Sequence, residues 1–257
     1  MPLRSGRVEA AARTLILLEE LNRHRVVSVQ ALHATTGLPK ATIVRLLRTL
    51  CDMGFAANDR RQGGYTVASR VKSLSNGYYG DPLVVEAARP WALAFTSEYH
   101  WPLAIGVLDG PSVVVRFSTT PDSPLAPLQS FINRRLSLLS RAMGRAYLAF
   151  CPASERAILF DLLTHSENPE DNFARESGSI DALLRRIRSQ GFAERHPLID
   201  PGSGTIAVPI VVGDKVLATV GMTFFSSALP QAERVESYVP RLQELARSVA
   251  TTVASLK

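Results

Sequence analysis

Residues 28–53 read SVQALHATTGLPKATIVRLLRTLCDM, and this stretch predicts two short helices joined by a tight turn. Ser28 is a candidate N-cap for the first helix, and Gly37 can supply the positive φ that ends it. Pro39 suits the first turn of the second helix. An apolar stripe then recurs at three- and four-residue spacing: Ile43, Leu46, Leu47 and Leu50. This layout is typical of a helix-turn-helix, whose second helix enters the DNA major groove.

The second helix also carries polar residues off that stripe, namely Lys40, Thr42, Arg45, Arg48 and Thr49. They would present cations and hydroxyls to DNA on one rigid rod. The alternative is a helical pair from an ordinary core, with the basic residues as a solvated face.

The flanking segments favour the DNA-binding interpretation. Residues 7–22, RVEAAARTLILLEELN, predict a supporting helix with Val8, Ala12, Leu15, Ile16 and Leu18 facing inward. Residues 55–67, FAANDRRQGGYTV, predict two short strands around a hairpin with Arg60 and Arg61 at its tip. Three helices and such a hairpin make a winged helix-turn-helix. The alternative for the tip is a solubilising hairpin that contacts no DNA.

Charge is unevenly distributed along the 257 residues, which are enough for two domains. Residues 1–80 carry a net charge of +7, whereas residues 81–257 carry −1. The basic excess therefore coincides with the helix-turn-helix pattern, as an electrostatic match to phosphates requires.

The other compositional features indicate an intracellular protein without a metal site or cofactor. Cys51 and Cys151 are too far apart to suggest a disulfide framework and lack zinc-ligand spacing, so we expect two small buried thiols. No stretch reaches the length of a membrane span, and the N-terminus lacks the apolar core of a secretion signal. We therefore expect a cytoplasmic location and no membrane partner.

Downstream, residues 69–80 predict a short linker helix that stops at Asn76-Gly77. Residues 82–99 predict a helix that Pro90 kinks or breaks. Residues 103–108 and 113–117 predict an antiparallel pair of strands. Residues 118–135 are Pro-rich and predict a loop with at most a short strand near its end. Three further helices are expected at residues 141–150, 154–164 and 179–190, and residues 165–178 are expected to be mobile.

The second β portion comprises predicted strands at residues 192–195, 205–212 and 215–225, the last two joined by a turn at Gly213-Asp214. Residues 231–256 predict a closing amphipathic helix with one apolar side, formed by Val235, Tyr238, Leu242, Leu245, Val249 and Val253. The pattern predicts an α+β domain, with helices packed on one mixed sheet.

Three segments resemble the IclR family of bacterial transcription regulators. Residues 37–55, GLPKATIVRLLRTLCDMGF, are similar to its recognition helix, and residues 135–152, RLSLLSRAMGRAYLAFCP, to its effector-domain signature. Residues 186–222, RIRSQGFAERHPLIDPGSGTIAVPIVVGDKVLATVGM, are similar to its pocket-lining strands. Within the family, VVVRFSTTPDSPL and RAYLAFCP most resemble regulators of aromatic-acid catabolism of the 3-(3-hydroxyphenyl)propionate type.

The resemblance implies a winged helix-turn-helix domain at residues 1–68, a linker helix at 69–81 and a GAF-like mixed α/β effector domain at 82–257. It implies a homodimer or homotetramer that binds a double-stranded DNA operator and a small organic acid. An aromatic carboxylate is the first expectation and a small aliphatic acid the alternative. The linker would couple the two domains, while residues 82–99 and the last helix would contribute either to interfaces or to the core.

For DNA, the expected residues are Ser28, Lys40, Ala41, Thr42, Arg45 and Arg48, with Arg60 and Arg61 in the wing. Ala41 stands where the family usually has Ser or Thr, and Val44 where His or Tyr is common. Both changes remove hydrogen-bonding groups, so an operator sequence cannot be transferred from relatives.

For the effector, the family's pocket positions correspond to Ala142, Met143, Arg195, Ser203, Thr205, Gly221 and Thr223, and we add Ser140 and Arg116. Arg195 stands where many relatives carry an acidic residue. Its guanidinium could pair bidentately with a ligand carboxylate, or it could point to solvent at a strand end. Arg116 and Arg141 are competing partners for that carboxylate.

Two other classes of protein were weighed. An enzyme would need residues 81–257, but His100, His165 and His196 are scattered, and Ser203 in PGSGT lacks the GxSxG elbow. A ligand-independent architectural DNA-binding protein would lack a cavity between sheet and helices. The sequence thus predicts a DNA-binding regulator rather than an enzyme.

Overall fold

The computed structural model describes residues 8–77, 80, 82–126, 132–166, 169–171 and 180–256. Within these residues the chain forms two compact units, one ending at Gly80 and the other beginning at Pro82. Each unit has its own hydrophobic core.

The first unit begins with three helices, α1 at Glu9–Leu21, α2 at Val29–Thr36 and α3 at Lys40–Asp52. The Ser28 hydroxyl accepts a hydrogen bond from the Ala31 amide at 3.2 Å, and Gly37 ends α2 with φ of +69°. The predicted helix-turn-helix is therefore confirmed, with both boundary signals acting as expected.

The core of this unit lies between α1 and the apolar stripe of α3. It is centred on Leu17, Leu21, Leu32, Ile43, Leu47 and Leu50. The predicted inward face of α1 is largely wrong, because Val8, Leu15 and Ile16 are exposed. The run LILL carries apolar side chains around several sides of the helix, so periodicity alone does not fix which side is buried.

A β-hairpin completes the first unit, with β1 at Ala56–Asp59 antiparallel to β2 at Gly64–Val67. Val27 and Tyr65 exchange two backbone hydrogen bonds, of 2.9 and 2.8 Å, so the segment before α2 joins the hairpin. The Asp59 carboxylate accepts bonds from the amides of Arg61 and Gln62 and so fixes the hairpin turn.

The short helix expected to stop at Asn76-Gly77 is present at Ser69–Ser75 with Asn76 as its C-cap, but it is a 3₁₀ helix. This short helix has no buried residue, so no apolar face holds it in a longer α-helix. Residues 78, 79 and 81 lie outside the described part of the chain.

The second unit contains one six-stranded sheet in the order β5-β4-β3-β8-β7-β6. Its strands are β3 (Leu103–Asp109), β4 (Ser112–Ser118), β5 (Arg135–Ser137), β6 (Ala193–Glu194), β7 (Ser203–Val212) and β8 (Lys215–Phe225). The prediction of a mixed sheet is wrong, because every pairing among these strands is antiparallel. The short β6 pairs with Ile206 and Ala207 of β7, and no strand in the described part of the chain pairs with residues 208–212 on that side, so this edge, which includes Pro209, is open there.

Helices cover both faces of this sheet. They are α4 (Leu83–Tyr99), α5 (Ala142–Phe150), α6 (Ala153–Thr164), α7 (Ile180–Gln190) and α8 (Val239–Ser255). One core contains residues of α4 and α8 packed on one sheet face, and a second contains α5, α6 and α7. The unit is therefore a three-layer α+β fold, with α5 buried along most of its length.

Four local predictions need correction. Of the two effects expected of Pro90, the break is wrong: α4 runs through it, with Ala88 and Ala92 buried on either side. Residues 120–122 form a 3₁₀ helix within the expected loop. The closing helix starts with a short α-helix at Gln231–Glu233 and a π-helical turn at Arg234–Tyr238, and Val235 is exposed.

The fourth correction concerns the expected mobile segment 165–178. Residues 167–168 and 172–178 of this segment lie outside the described residues, whereas residues 169–171 are helical. Asp171 is buried there.

Candidate functional site

The outer surface of α3 carries the residues expected to meet DNA. Lys40, Ala41, Arg45 and Arg48 are all exposed, whereas Thr42 is half-buried. Within the described residues, neither Arg45 nor Arg48 forms an ion pair with a carboxylate. Both guanidinium groups are therefore available to an external anion.

A cleft of about 480 Å³ lies between α1 and α3. Its lining includes Glu9, Arg13, Thr42, Arg45, Arg48 and Thr49. Arg13 is paired with Glu9, with 3.0 Å between Nε and Oε1. Thr42 therefore lies on the side of α3 that faces α1. The cleft brings Arg13, Arg45 and Arg48 to one concave surface.

The wing tip and the start of α2 present further polar groups. Arg60 and Arg61 are exposed at the hairpin turn. Ser28 is exposed too, but its hydroxyl already accepts the capping hydrogen bond from Ala31. A phosphate contact by Ser28 would have to use the hydroxyl proton.

In the second unit, small residues leave a depression in the sheet beneath α5. Gly221 of β8 pairs with Ala104 of β3 and with Ala207 of β7. A Cβ at Gly221 would lie 2.9 Å from Met143 Cγ, and one at Gly106 would lie 2.8 Å from Met143 Cε. The Met143 side chain therefore fills the depression, and as an unbranched thioether it can repack.

Two threonines border this depression. Thr205 and Thr223 are paired across β7 and β8, and their hydroxyl oxygens are 3.2 Å apart. The Thr205 methyl lies 3.4 Å from the Cβ position of Gly221. The structure thus brings together Met143, Thr205, Gly221 and Thr223, four of the predicted effector residues.

Arg141 precedes α5 as its N-cap residue, and its side chain is only 10% exposed. Its Nε donates to Glu170 Oε2 at 2.8 Å, its Nη2 contacts Glu170 Oε1, and its Nη1 donates to Asp200 Oδ2 at 2.8 Å. Ser140 also donates to Glu170 Oε2, at 2.7 Å. The cation is therefore held in a buried network of two carboxylates.

Arg195 joins the same network from the other side. Its side chain is 8% exposed, so it does not point to solvent. Its Nη2 donates to the Asp200 carbonyl at 3.0 Å and to Ser203 Oγ at 2.9 Å, and its Nη1 lies 3.5 Å from Asp200 Oδ2. Ser203 and Arg195, both predicted, are in direct contact.

The titration of Arg141, Glu170 and Asp200 follows their pairing, whereas burial lowers the pKa of Arg195. Burial opposes the charge on Arg141, but its hydrogen bonds to Glu170 and Asp200 outweigh burial and raise its pKa. The hydrogen bond from Arg141 lowers the pKa of the Glu170 carboxyl. Burial acts to raise the pKa of Asp200, yet Arg141 lowers it overall. Both carboxylates are therefore ionised at neutral pH.

Arg116 has different bonding partners from the arginines of this network. Its Nη1 donates to Asn133 Oδ1 at 3.2 Å, and its Nη2 lies 3.8 Å from Asp109 Oδ2. It sits at a β-bulge, where Gly106 pairs with Val115 and Ile105 with Phe117. Among the described residues, these contacts do not connect Arg116 with the other effector candidates.

No sequence pattern indicated the two carboxylates that organise the network, Glu170 and Asp200, or the second buried arginine of α5, Arg145. Glu170 and Asp200 lie 29 and 59 residues from Arg141. Arg145 donates to the carbonyls of Leu139 at 2.7 Å and Glu194 at 3.1 Å, and burial lowers its pKa to about 10. The one available signal was the position of Arg141 next to an apolar helix. A cation buried there requires a counter-charge, so it predicts a carboxylate partner from elsewhere in the chain.

A second concavity in this unit, of about 540 Å³, lies between β7 and α8. Its lining includes Phe150, Val208, Pro209, Val211, Ala246 and Arg247. None of the predicted effector residues lines it.

Both cysteines are free thiols, and Cys51 is half-buried rather than buried. The described residues contain no cluster of His, Cys, Asp or Glu able to hold a metal ion. No helix in the described ranges is long and apolar enough to span a membrane.

A winged helix-turn-helix followed by an α+β unit defines a class of DNA-binding proteins with an attached second domain. The IclR helix-turn-helix domain profile matches residues 10–60, and the profile of the bacterial transcriptional regulator IclR C-terminal domain matches residues 81–251. The chain belongs to the IclR family of transcriptional regulators, and the expectation of a regulator rather than an enzyme is confirmed.

Relatives and solved structures agree with this assignment. The chain is 22% identical to the Pca regulon regulatory protein of Pseudomonas putida over 242 residues, covering 93% of this chain and 81% of that protein. The crystal structure of RHA06195 from Rhodococcus sp. RHA1 has a TM-score of 0.64 at 20% identity, over 98% of this chain and 100% of that one. An IclR homologue from Microbacterium hydrocarbonoxydans, solved with 4-hydroxybenzoate, has a TM-score of 0.57 at 18% identity, covering 96% and 100%.

Proposed function

We propose that this IclR-type regulator binds its operator through α3 and the wing, and that a small organic acid bound in the second unit changes that affinity. One observation carries the proposal. The buried guanidinium groups of Arg141 and Arg195 are linked through Asp200, and Ser203 binds Arg195. Such a pair of cations suits a carboxylate, because a guanidinium can grip both carboxylate oxygens at once.

The ligand surface that we propose comprises Ser140, Ala142, Met143, Arg195, Ser203, Thr205, Gly221 and Thr223, together with Arg141, the competing carboxylate partner named from the sequence. Arg116 is a weaker member, since its partners are Asn133 and Asp109. The acidic group of a ligand would meet the arginines, and the threonine hydroxyls would meet a second oxygen.

An aromatic carboxylate is the first ligand class we propose. Support comes from the homologue solved with 4-hydroxybenzoate, and the Pca regulon regulator is a further relative. A small aliphatic acid is the second candidate. Met143 favours it, because its side chain occupies the space beside Gly106 and Gly221 and leaves less room for a ring.

On DNA, we propose that Arg45 and Arg48 enter the major groove, with Lys40, Ala41 and Thr42 near them. Ser28, Arg60 and Arg61 would contact the backbone or the minor groove. Two copies of the chain would place their recognition helices about one DNA turn apart, roughly 34 Å, or a multiple of it. We therefore propose that the chain acts as a homodimer or a homotetramer.

The domain limits that we propose are residues 1–68 for DNA binding, 69–81 for the linker and 82–257 for effector binding. Ligand and DNA are coupled only if the ligand favours one of at least two arrangements of the protein.

Selection of bound duplexes from a random DNA library would supply the operator, and anisotropy of the labelled operator would then give affinity. A panel of acetate, glyoxylate, benzoate and 4-hydroxybenzoate would be tested for a shift in melting temperature, since a bound ligand stabilises the folded state. The proposal requires at least one acid both to raise the melting temperature and to change operator affinity. Absence of both effects for every acid would contradict it.

A further inference from the structure

In the ion network around Arg141, the cationic side chains are more deeply buried than the carboxylates that pair with them. The side chains of Arg141 and Arg195 are 10% and 8% exposed, whereas those of Glu170 and Asp200 are 28% and 55% exposed. The cations are therefore enclosed, and the carboxylates reach them from nearer the solvent.

The backbone holds the two cations more firmly than the two anions. Arg141 is the N-cap residue of α5, and its amide donates to the Ser137 carbonyl at 3.3 Å. The Arg195 amide donates to the Thr205 carbonyl at 3.1 Å and so continues the β6–β7 ladder. Asp200 lies in a turn, with φ of +48°, and Glu170 lies in the helical residues 169–171. The anions are thus the more easily replaced members of the network.

Glu170 receives the set of donors that a free carboxylate would seek. Its Oε2 accepts from Arg141 Nε at 2.8 Å and from Ser140 Oγ at 2.7 Å, while its Oε1 contacts Arg141 Nη2. A fork contact of this kind is the geometry by which arginine recognises any carboxylate. Ser140 and Arg141 directly precede Ala142 and Met143 of the proposed ligand surface.

We propose that Ser140 and Arg141 form the carboxylate subsite of the effector site, and that Glu170 is its internal occupant, which an acid must displace in order to bind. This inference rests on the proposed function, because it assigns one subsite of the same ligand surface. Exchange of one carboxylate for another keeps the buried cation neutralised throughout. The displaced Glu170 carboxylate is already partly exposed and becomes hydrated.

Competition by Glu170 lowers the apparent affinity for acids. If Glu170 holds Arg141 for about nine-tenths of the time, the apparent dissociation constant is about tenfold larger than that of the open subsite. Glu170→Gln removes the competing charge but keeps an oxygen that can accept from Ser140. This variant should bind benzoate about tenfold more tightly.

The experiment is isothermal titration calorimetry of the full chain with sodium benzoate, and with acetate and glyoxylate in parallel. The variants are Glu170→Gln, Arg141→Gln and the double variant, with Glu86→Gln as a matched control that removes the carboxylate of an exposed Glu–Arg pair. We expect tighter binding for Glu170→Gln, weaker binding for Arg141→Gln, no gain in the double variant and no change for the control. Glu170→Asp retains the charge but shortens the reach, so it should show a smaller gain and remains informative if Glu170→Gln fails to fold.

The outcomes separate the inference from the proposed function. Equal affinities of the wild type and both Glu170 variants for an acid that binds would overturn the inference and leave the proposed function standing. A gain that persists in the Arg141→Gln background would also overturn it, since the subsite would then lie elsewhere. No binding of any acid to any folded variant would overturn the proposed function and the inference together.

Discussion

The guanidinium of Arg141 contacts both carboxylate oxygens of Glu170, 29 residues further along the chain, through Nε at 2.8 Å and through Nη2. This pair joins the start of α5 to residues 169–171. Together with Asp200 it neutralises a buried cation, and removing one partner from a buried ion network is strongly destabilising.

The first prediction concerns the acid stability of the second unit. Arg141 lowers the pKa values of Glu170 and Asp200 in the folded state, with Arg134 contributing more weakly. Carboxyls with a depressed folded pKa stabilise the protein above their unfolded pKa, about 4, and this stabilisation is lost as pH falls. Arg141→Gln should therefore lower the melting temperature at pH 7, and the deficit should shrink as the pH is lowered through about 4.

The control for this prediction is Arg135→Gln, which removes the exposed partner of Asp109. An exposed pair contributes little, so its melting temperature should follow that of the wild type from pH 7 to pH 3. A deficit of Arg141→Gln that is constant over this range would show that the pair contributes nothing through ionisation.

The second prediction concerns Gly144 in α5. A Cβ at this position would lie 2.2 Å from the Ser137 carbonyl oxygen and 2.5 Å from Leu138 Cα, both backbone atoms. Gly144→Ala must shift the chain there and should cost about 1–3 kcal/mol or more of unfolding free energy, measured by urea denaturation. Gly202→Ala meets no atom within 4 Å and should leave the midpoint almost unchanged. Equal midpoints for the two variants would refute the close approach.

The third prediction concerns the core beneath the recognition helix. Leu47 is completely buried, whereas Val44 in the same helix is 40% exposed. Leu47→Ala should destabilise the first unit by roughly 2–5 kcal/mol, because it removes transfer free energy and leaves a cavity. Val44→Ala should change it by less than about 0.5 kcal/mol. Circular dichroism melts of the two variants compare the effects directly.

The fourth prediction concerns the salt dependence of operator binding. Arg60→Ala should reduce the slope of log affinity against log salt by about one, because one phosphate contact is lost. Arg45→Ala should weaken binding to the selected operator by roughly 1–3 kcal/mol, measured by anisotropy. Arg23→Gln, which removes an exposed cation already paired with Glu20, should change neither value appreciably. If Arg45 and Arg60 behave like Arg23, the proposed DNA surface is wrong.

Sequence patterns identified the first unit well because its signals are local. Ser28, Gly37 and the stripe through Ile43 and Leu47 each act within one or two helical turns, so boundaries and the buried face of α3 followed from them. The inward face of α1 was missed because Leu15, Ile16, Leu17 and Leu18 are all apolar, and only contact with α3 selects Leu17 for burial.

The candidate effector site was only partly predictable, because it also depends on contacts between residues that are far apart in the sequence. Thr205, Gly221 and Thr223 were assigned through family resemblance, and the structure places them side by side on β7 and β8. The Arg141–Glu170–Asp200 network depends on contacts across 29 to 59 residues, which no local pattern encodes. Arg195 was predicted as a partner for a ligand carboxylate or as an arginine pointing to solvent, and its burial against Asp200 and Ser203 emerged only from the fold.

Pro209 affects the tendency of the protein to aggregate through the open edge of its sheet. It lies in the stretch of β7 beyond the reach of β6, and proline offers no backbone N–H to an incoming strand. A strand from a neighbouring molecule that paired with this edge would lack one inter-strand backbone hydrogen bond at Pro209. Pro209 therefore disfavours edge-to-edge pairing of strands from different molecules, which is the first step of fibre growth. Pro209→Val would restore a backbone N–H at this edge and should favour aggregation of concentrated protein.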